Sequence, residues 1–335
     1  MARALLISAS SSKFIFIRAI FLKIKLYHMQ IIPFLIGLQS IAPQIDSSQN
    51  QQATIAHINA WANLVLTHPA ASARQAAHDS LMTGLEQALK NPQITRKELK
   101  TQLQGVSVQS PADDKFQIYT WQLFQNDSSY LYGGLLKTEK GEVFRLVDKA
   151  ATIKQPFTSR LKPAEWYGAL YYNMLPFEHE NKQMYLLFGY NAHDFFNHRK
   201  LVDVLYFDNG KPKFGYNLLE MQDNSRKTRT VQRLIIEYSA TVTSTLNYSP
   251  SEEMIIYDHM IAAAPVKGQA SSNIPDGSYC GLKLQKGRWV YVDKVHKDEY
   301  DPATAWNNPT APIPQPVFDE KSEKLDLFGN KKKKK

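Results

Sequence analysis

Cysteine is nearly absent from this 335-residue chain, with Cys280 standing alone. That excludes an internal disulfide and any zinc site built from several cysteines. Cys280 itself reads as a small hydrophobe beside a turn. Scarce cysteine suits either redox compartment, because exported proteins often carry disulfides without requiring them. Three catalytic signatures are missing as well: a Gly-x-Ser-x-Gly elbow, a Gly-rich phosphate loop ending in Lys-Ser or Lys-Thr, and His-Glu-x-x-His. Lys140-Gly141 and Lys286-Gly287 read as hairpin turns rather than phosphate cradles.

A surplus of positive charge is missing from the body of the chain. The formal net charge is +9, but its source is the two ends. Residues 1–44 carry Arg3, Lys13, Arg18, Lys23 and Lys25 without an acid, and the last five residues are all lysine. Residues 45–330 are close to neutral. A nucleic-acid binder carries its basic stripe on the folded body, so no nucleic-acid partner is expected. A long apolar run is also lacking. A membrane span needs ~20 apolar residues, and Arg18, Lys23 and Lys25 interrupt the N-terminal stretch. No transmembrane span is expected in the mature chain.

Residues 13–44 instead have the order of a secretory signal peptide. A basic flank (Lys23, Lys25, His28) precedes the apolar run from Met29 to Leu38, and a polar exit follows at 39–44. Ser40-Ile41-Ala42 has the small-x-small form of a cleavage site, though Pro43 would follow the scissile bond. Residues 1–44 are therefore set aside as a signal peptide or a start assigned too early. The expected address is periplasmic or secreted.

Residues 45–110 read as a helical unit. Ile55, Ile58, Ala62, Val65 and Leu66 recur at helical spacing, and His68-Pro69 ends that helix. A second helix over about 72–90 carries Ala77, Leu81, Leu85 and Leu89 on one side, and Asn91-Pro92 ends it. Thr95 caps a short third piece containing Leu99 and Leu103.

Residues 116–299 read as a large antiparallel β domain. Strands are expected at 116–124, 130–137, 142–147, 166–174, 184–190, 201–207, 213–218, 231–242, 244–248, 254–259, 280–284 and 288–294. Tyr119, Trp121 and Leu123 alternate with Thr120 and Gln122, while Ile118 and Phe124 blur the alternation. Asn209-Gly210 is the strongest turn signal, because a tight hairpin needs positive φ at both positions. Connections this short favour a meander over a parallel sheet with crossover helices. A dozen strands would strain one open sheet, so curling or splitting is expected. The fold class is α+β, mainly β, and closure as a curved sheet, barrel, sandwich or propeller-like array is left open. Residues 300–335 form a Pro-rich and Lys-rich tail expected to be extended and disordered.

Chemistry has two carriers, each with a plain structural alternative. Asp203, Glu237 and Asp258 sit inside apolar strands and could serve as general acid and base on a glycoside. Equally, each could be paired with a base such as Arg233 or Lys200. His193, Asp194 and His198 offer nitrogen and oxygen ligands within one loop, although five-residue spacing does not align two histidines on a helix and no strong fourth ligand is evident. No cofactor is expected. Trp166, Tyr167, Tyr171 and Tyr172 could stack on sugar, but core packing is the commoner use of such residues.

Several strings resemble a family of uncharacterised, signal-peptide-bearing envelope proteins of Bacteroidota. They are Trp166-Tyr167-Gly168-Ala169-Leu170-Tyr171-Tyr172, the strand end Leu187–Asn191, Asp203–Phe207 with Gly210–Gly215, and Met254–His259. The resemblance spans roughly 116–299. It implies export and a β-rich body, and no activity. The expected function is non-enzymatic binding or scaffolding in envelope assembly or export, with an envelope or outer-membrane protein as partner. The alternative is a glycan-acting hydrolase or carbohydrate-binding protein using the strand carboxylates.

Overall fold

The computed structural model describes residues 47–125, 129–222, 227–262 and 272–295. The expected leader, the expected tail and the turn at Asn126-Asp127 lie outside the described residues. Three helices come first: α1 (Ser47–Thr67), α2 (Ala71–Lys90) and α3 (Arg96–Gln102). The third opens with a capping box, in which the Thr95 hydroxyl accepts from Glu98 N and the Glu98 carboxylate accepts from Thr95 N. None of these helices is long and apolar enough to cross a membrane.

Fifteen strands follow: β1 (Ser107–Gln109), β2 (Phe116–Phe124), β3 (Tyr130–Thr138), β4 (Val143–Val147), β5 (Leu170–His179), β6 (Lys182–Asn191), β7 (Asn197–Asp208), β8 (Lys211–Phe214), β9 (Leu219–Gln222), β10 (Thr228–Val231), β11 (Arg233–Ser239), β12 (Leu246–Ser249), β13 (Met254–Ala262), β14 (Asn273–Gln285) and β15 (Arg288–Val295). They split into three sheets. The first runs β1-β2-β3-β4, the second β11-β7-β6-β5 with β8 also on β7, and the third β10-β9-β15-β14-β13-β12. All pairings are antiparallel except β9 with β15, a short parallel ladder joining Leu219 to Trp289 and Glu220 to Val290.

The sheets stack, and burial on both faces explains the blurred alternation. Along β2, Tyr119, Trp121 and Leu123 face the helices, while Phe116 and Ile118 face the second sheet. Along β6, Tyr185 and Leu187 face the first sheet, and Met184, Leu186 and Phe188 face the third. A strand covered on both sides loses its polar face, so its sequence becomes a nearly continuous apolar run. The helices share one core with β2 and β3, through Ile58, Leu81, Leu85 and Trp121. Leu66, placed on the apolar face by its spacing, is exposed.

Side chains and short bridges tie the layers at their edges. Ser107 Oγ donates to Tyr171 O at 2.5 Å, joining β1 to β5. On the opposite side Leu161 and Phe214 exchange backbone bonds of 2.7 and 2.9 Å. The second and third sheets meet where Tyr172 OH donates to Leu246 O at 2.6 Å and Asn173 Nδ2 to Asn247 Oδ1 at 2.6 Å. Three hairpins turn on two residues of positive φ: Glu180-Asn181, Asn209-Gly210 and Lys286-Gly287.

Two expectations are corrected. Trp166–Ala169 is not strand, because Gly168 takes φ +73° and the chain turns there against Asp148. The stretch 213–218 is not one strand either. β8 ends at Phe214, Gly215 turns with φ +90°, and β9 starts at Leu219 in another sheet.

Candidate functional site

Asp203 and Arg233 sit opposite one another in the β7–β11 register. Both side chains are fully buried, and Arg233 Nη2 faces Asp203 Oδ1 at 3.0 Å. The contact is an ion pair rather than an aligned hydrogen bond, since neither atom finds a hydrogen-bond partner of good geometry. Around it, Trp166 Nε1 donates to Tyr171 OH at 2.8 Å, and Tyr171 OH lies 3.5 Å from Asp203 Oδ2. Arg233 Nη1 donates to Pro156 O at 2.7 Å, and its guanidinium lies 5.4 Å from the Tyr167 ring centre. Burial pushes the Asp203 carboxyl upward, opposed by Arg233. Asp203 does point inward, as its parity with Leu201 and Leu205 implies, but it meets a counter-ion there and no open space. Trp166, Tyr167 and Tyr171 belong to the same buried cluster.

Glu237, also on β11, binds Arg199 on β7. Its Oε2 accepts from Arg199 Nε at 2.7 Å and lies 2.6 Å from Arg199 Nη2, and Arg199 Nη1 donates to Tyr167 OH at 3.1 Å. The histidine loop connects β6 to β7 beside this pair. His193 Nε2 lies 3.5 Å from Asp194 Oδ2 and 4.0 Å from Glu237 Oε2. Asp194 Oδ1 is used within the loop, accepting from Phe196 N at 2.8 Å and Asn197 N at 2.7 Å. His198 points elsewhere, its ring edge-on between Tyr190 and Tyr238 at 5.5 and 5.9 Å. Burial lowers the basicity of both histidines. No group of three candidate ligands is placed to hold a metal ion among the described residues.

Asp258 lies on β13 beside a bulge that interrupts the ladder between Asp258 and Met260. Its Oδ2 accepts from Thr245 N, and Lys200 on β7 is near enough to stabilise the carboxylate. Burial outweighs that help and pushes Asp258 up. Lys200 is itself pushed down to about 8 by burial, with Asp258 opposing. Its ammonium lies 5.5 Å from the Tyr172 ring centre. The three acids are therefore not one constellation. Asp203 faces the first sheet, and Glu237 shares that face of the β7–β11 ladder with Arg199, whereas Asp258 lines a cavity on the other side of the second sheet.

That cavity has a volume of about 400 Å³ and opens between β11 and the inner face of the third sheet. Leu234, Ile236, Tyr257 and Met260 form much of its wall. Cys280, Tyr291 and Asp293, from β14 and β15, also line it. Tyr291 OH donates to Asp293 Oδ1 at 3.1 Å, so its single proton is committed and the Cys280 thiol is the donor across the 3.2 Å contact to Tyr291. Burial raises the Cys280 thiol, which favours the protonated form and slows its reaction with electrophiles. Residue spacing does not reveal this chain. The Trp289, Tyr291, Asp293 alternation marks one strand face, but only the sheet pairing puts Cys280 beside it. Comparisons with protein-family models, with curated proteins and with solved structures find no match.

Proposed function

We propose that this protein is a non-enzymatic binding or scaffolding protein of the bacterial periplasm, acting in cell-envelope assembly or export. The observation that carries the reading is an ordered, exposed aromatic pair at the turn between β6 and β7. Phe195 and Phe196 are 69% and 42% exposed, with ring centres 5.2 Å apart and edge to face. The turn is held by Asp194, as described, and by Ala240 N donating to Phe196 O at 2.7 Å. Rigid aromatics held in water at a turn are suited to a protein partner, because their burial on association needs little ordering. Sheet edges add a route by strand addition. The periplasmic address rests on the basic-then-apolar order of residues 13–44.

The test is affinity purification of a tagged copy from its own envelope in mild detergent, with stoichiometry by mass spectrometry. A stoichiometric envelope partner is expected, and it should be lost from the double variant Phe195→Ser, Phe196→Ser. A lone, monodisperse protein would overturn the reading. A second reading, action on a glycan, is favoured by one observation: the strands that carry Glu237 and Asp258 border the same cavity. It ranks lower because Arg199 already occupies Glu237 and Thr245 N already occupies Asp258. Glu237→Gln and Asp258→Asn should leave any glycan affinity of the protein intact if these acids are structural.

A further inference from the structure

The cavity between β11 and the third sheet has a chemical character of its own, independent of the aromatic turn. Its size of about 400 Å³ falls within the range of small-molecule sites. The wall is aliphatic, aromatic and thioether, with Met221 and Met260 supplying adaptable surface. Two carboxylates line it (Asp258 and Asp293), and no lysine or arginine does among the described residues. Three nearby cations have partners among the described residues. Arg199 is bound to Glu237, Lys200 lies over Tyr172 near Asp258, and His259 pairs with Asp276 at 2.9 Å. Asp293 stands apart from these pairs. It is exposed at the mouth, its Oδ1 accepts from the neutral Tyr291 hydroxyl, and none of the described ion pairs includes it.

We propose that this cavity binds a small amphipathic organic cation, an amine or quaternary ammonium carried on an apolar body. The apolar body lies against Leu234, Ile236 and Met260. The cation sits towards the mouth, between the Asp293 carboxylate and the Tyr291 ring. An aromatic face and a carboxylate both attract a cation, and the half-enclosed position limits screening by water. An anion would face Asp258 and Asp293, with no lysine or arginine among the described residues of the wall. A neutral isostere would leave the mouth charge unused. Specificity thus comes from charge at the entrance and affinity from the apolar interior.

The experiment uses the full chain and three probes of one shape: phenylbutylamine, the neutral phenylbutanol and the anionic phenylbutyrate, titrated calorimetrically at low salt. Saturable binding of the amine is expected, with the alcohol and the carboxylate at least about tenfold weaker. Asp293→Asn should weaken the amine by about fivefold, the range of a partly exposed ion pair. Asp293 is exposed at the mouth, so the variant should keep its unfolding midpoint. Occupancy has a second readout, because Cys280 is the only thiol and lines the same cavity. The amine should slow alkylation of Cys280 in the parent protein, and less so in Asp293→Asn. Equal binding of all three probes, unsaturable binding of the amine, or an unchanged affinity in Asp293→Asn would each overturn the proposal.

Discussion

Replacing Arg233 by methionine tests the account of the buried ion pair most directly. Arg233 and Asp203 are both 0% exposed, so neither charge has water to fall back on. Arg233→Met leaves the Asp203 carboxylate buried without a counter-ion and removes the donor that Pro156 O accepts from at 2.7 Å. Removing one partner of a buried pair costs about 3–5 kcal/mol, because the remaining charge is uncompensated. That is a large fraction of the roughly 5–15 kcal/mol that stabilises a typical domain. Urea denaturation followed by tryptophan fluorescence measures it, and buried Trp166 is hydrogen-bonded to Tyr171, which contacts Asp203.

Two companions make the argument refutable. In Arg233→Met the burial that raises Asp203 is no longer opposed. A carboxyl with a raised folded pKa contributes stability that is full below its unfolded value and is lost as pH rises through the folded value. The variant should therefore be more impaired at neutral pH than at pH about 5. The double variant Asp203→Leu, Arg233→Met removes both charges and should recover at least about 2 kcal/mol relative to Arg233→Met. If the single variant unfolds within about 1 kcal/mol of the parent, or the double variant is the less stable, the pair is not the determinant described here.

Two further predictions concern the turn around Gly168. Gly168→Ala should destabilise by about 2–5 kcal/mol, because the residue sits at φ +73° and an added Cβ would lie 2.3 Å from Asp148 Cγ; the urea midpoint reads this. Asp148 accepts from Tyr132 N at 3.0 Å and Ala150 N at 2.9 Å, and burial holds its carboxyl at about 6. With a raised folded pKa, its contribution is full below about pH 4 and is lost as pH rises through about 6. Asp148→Asn should flatten the pH dependence of the urea midpoint across that window, while lowering stability overall through the lost second acceptor.

Much of the local structure was legible because its causes are local. The α1 and α2 faces follow from apolar residues recurring with the helical period, and the start of α3 from Thr95 as its cap. The Asn209-Gly210 hairpin follows from two residues that tolerate positive φ. The Glu180-Asn181 turn is not signalled in the same way, since glutamate seldom takes positive φ. Trp166–Ala169 misleads for a different reason. Its apolar content suits a strand, but the conformation of Gly168 is set by Asp148, some twenty residues away in sequence and pressed against it. Asp203 was identifiable as inward-facing by parity. That it meets Arg233 depends on the register of β7 against β11, and no spacing within either strand encodes it.

By itself, then, the sequence determines a helical start followed by many short strands, and it places charged residues inside apolar strands where they need partners. Patterning acts over a turn or a strand, so those features survive without knowledge of the rest. Only the tertiary structure decides that the strands split into three sheets, that the middle sheet is covered on both faces, and that β9 pairs with β15 in parallel. It also decides which carboxylates are neutralised and which one stands open at the mouth of a cavity. These outcomes depend on contacts between residues far apart in the chain, where burial makes each unpaired charge costly enough to select one pairing over the others.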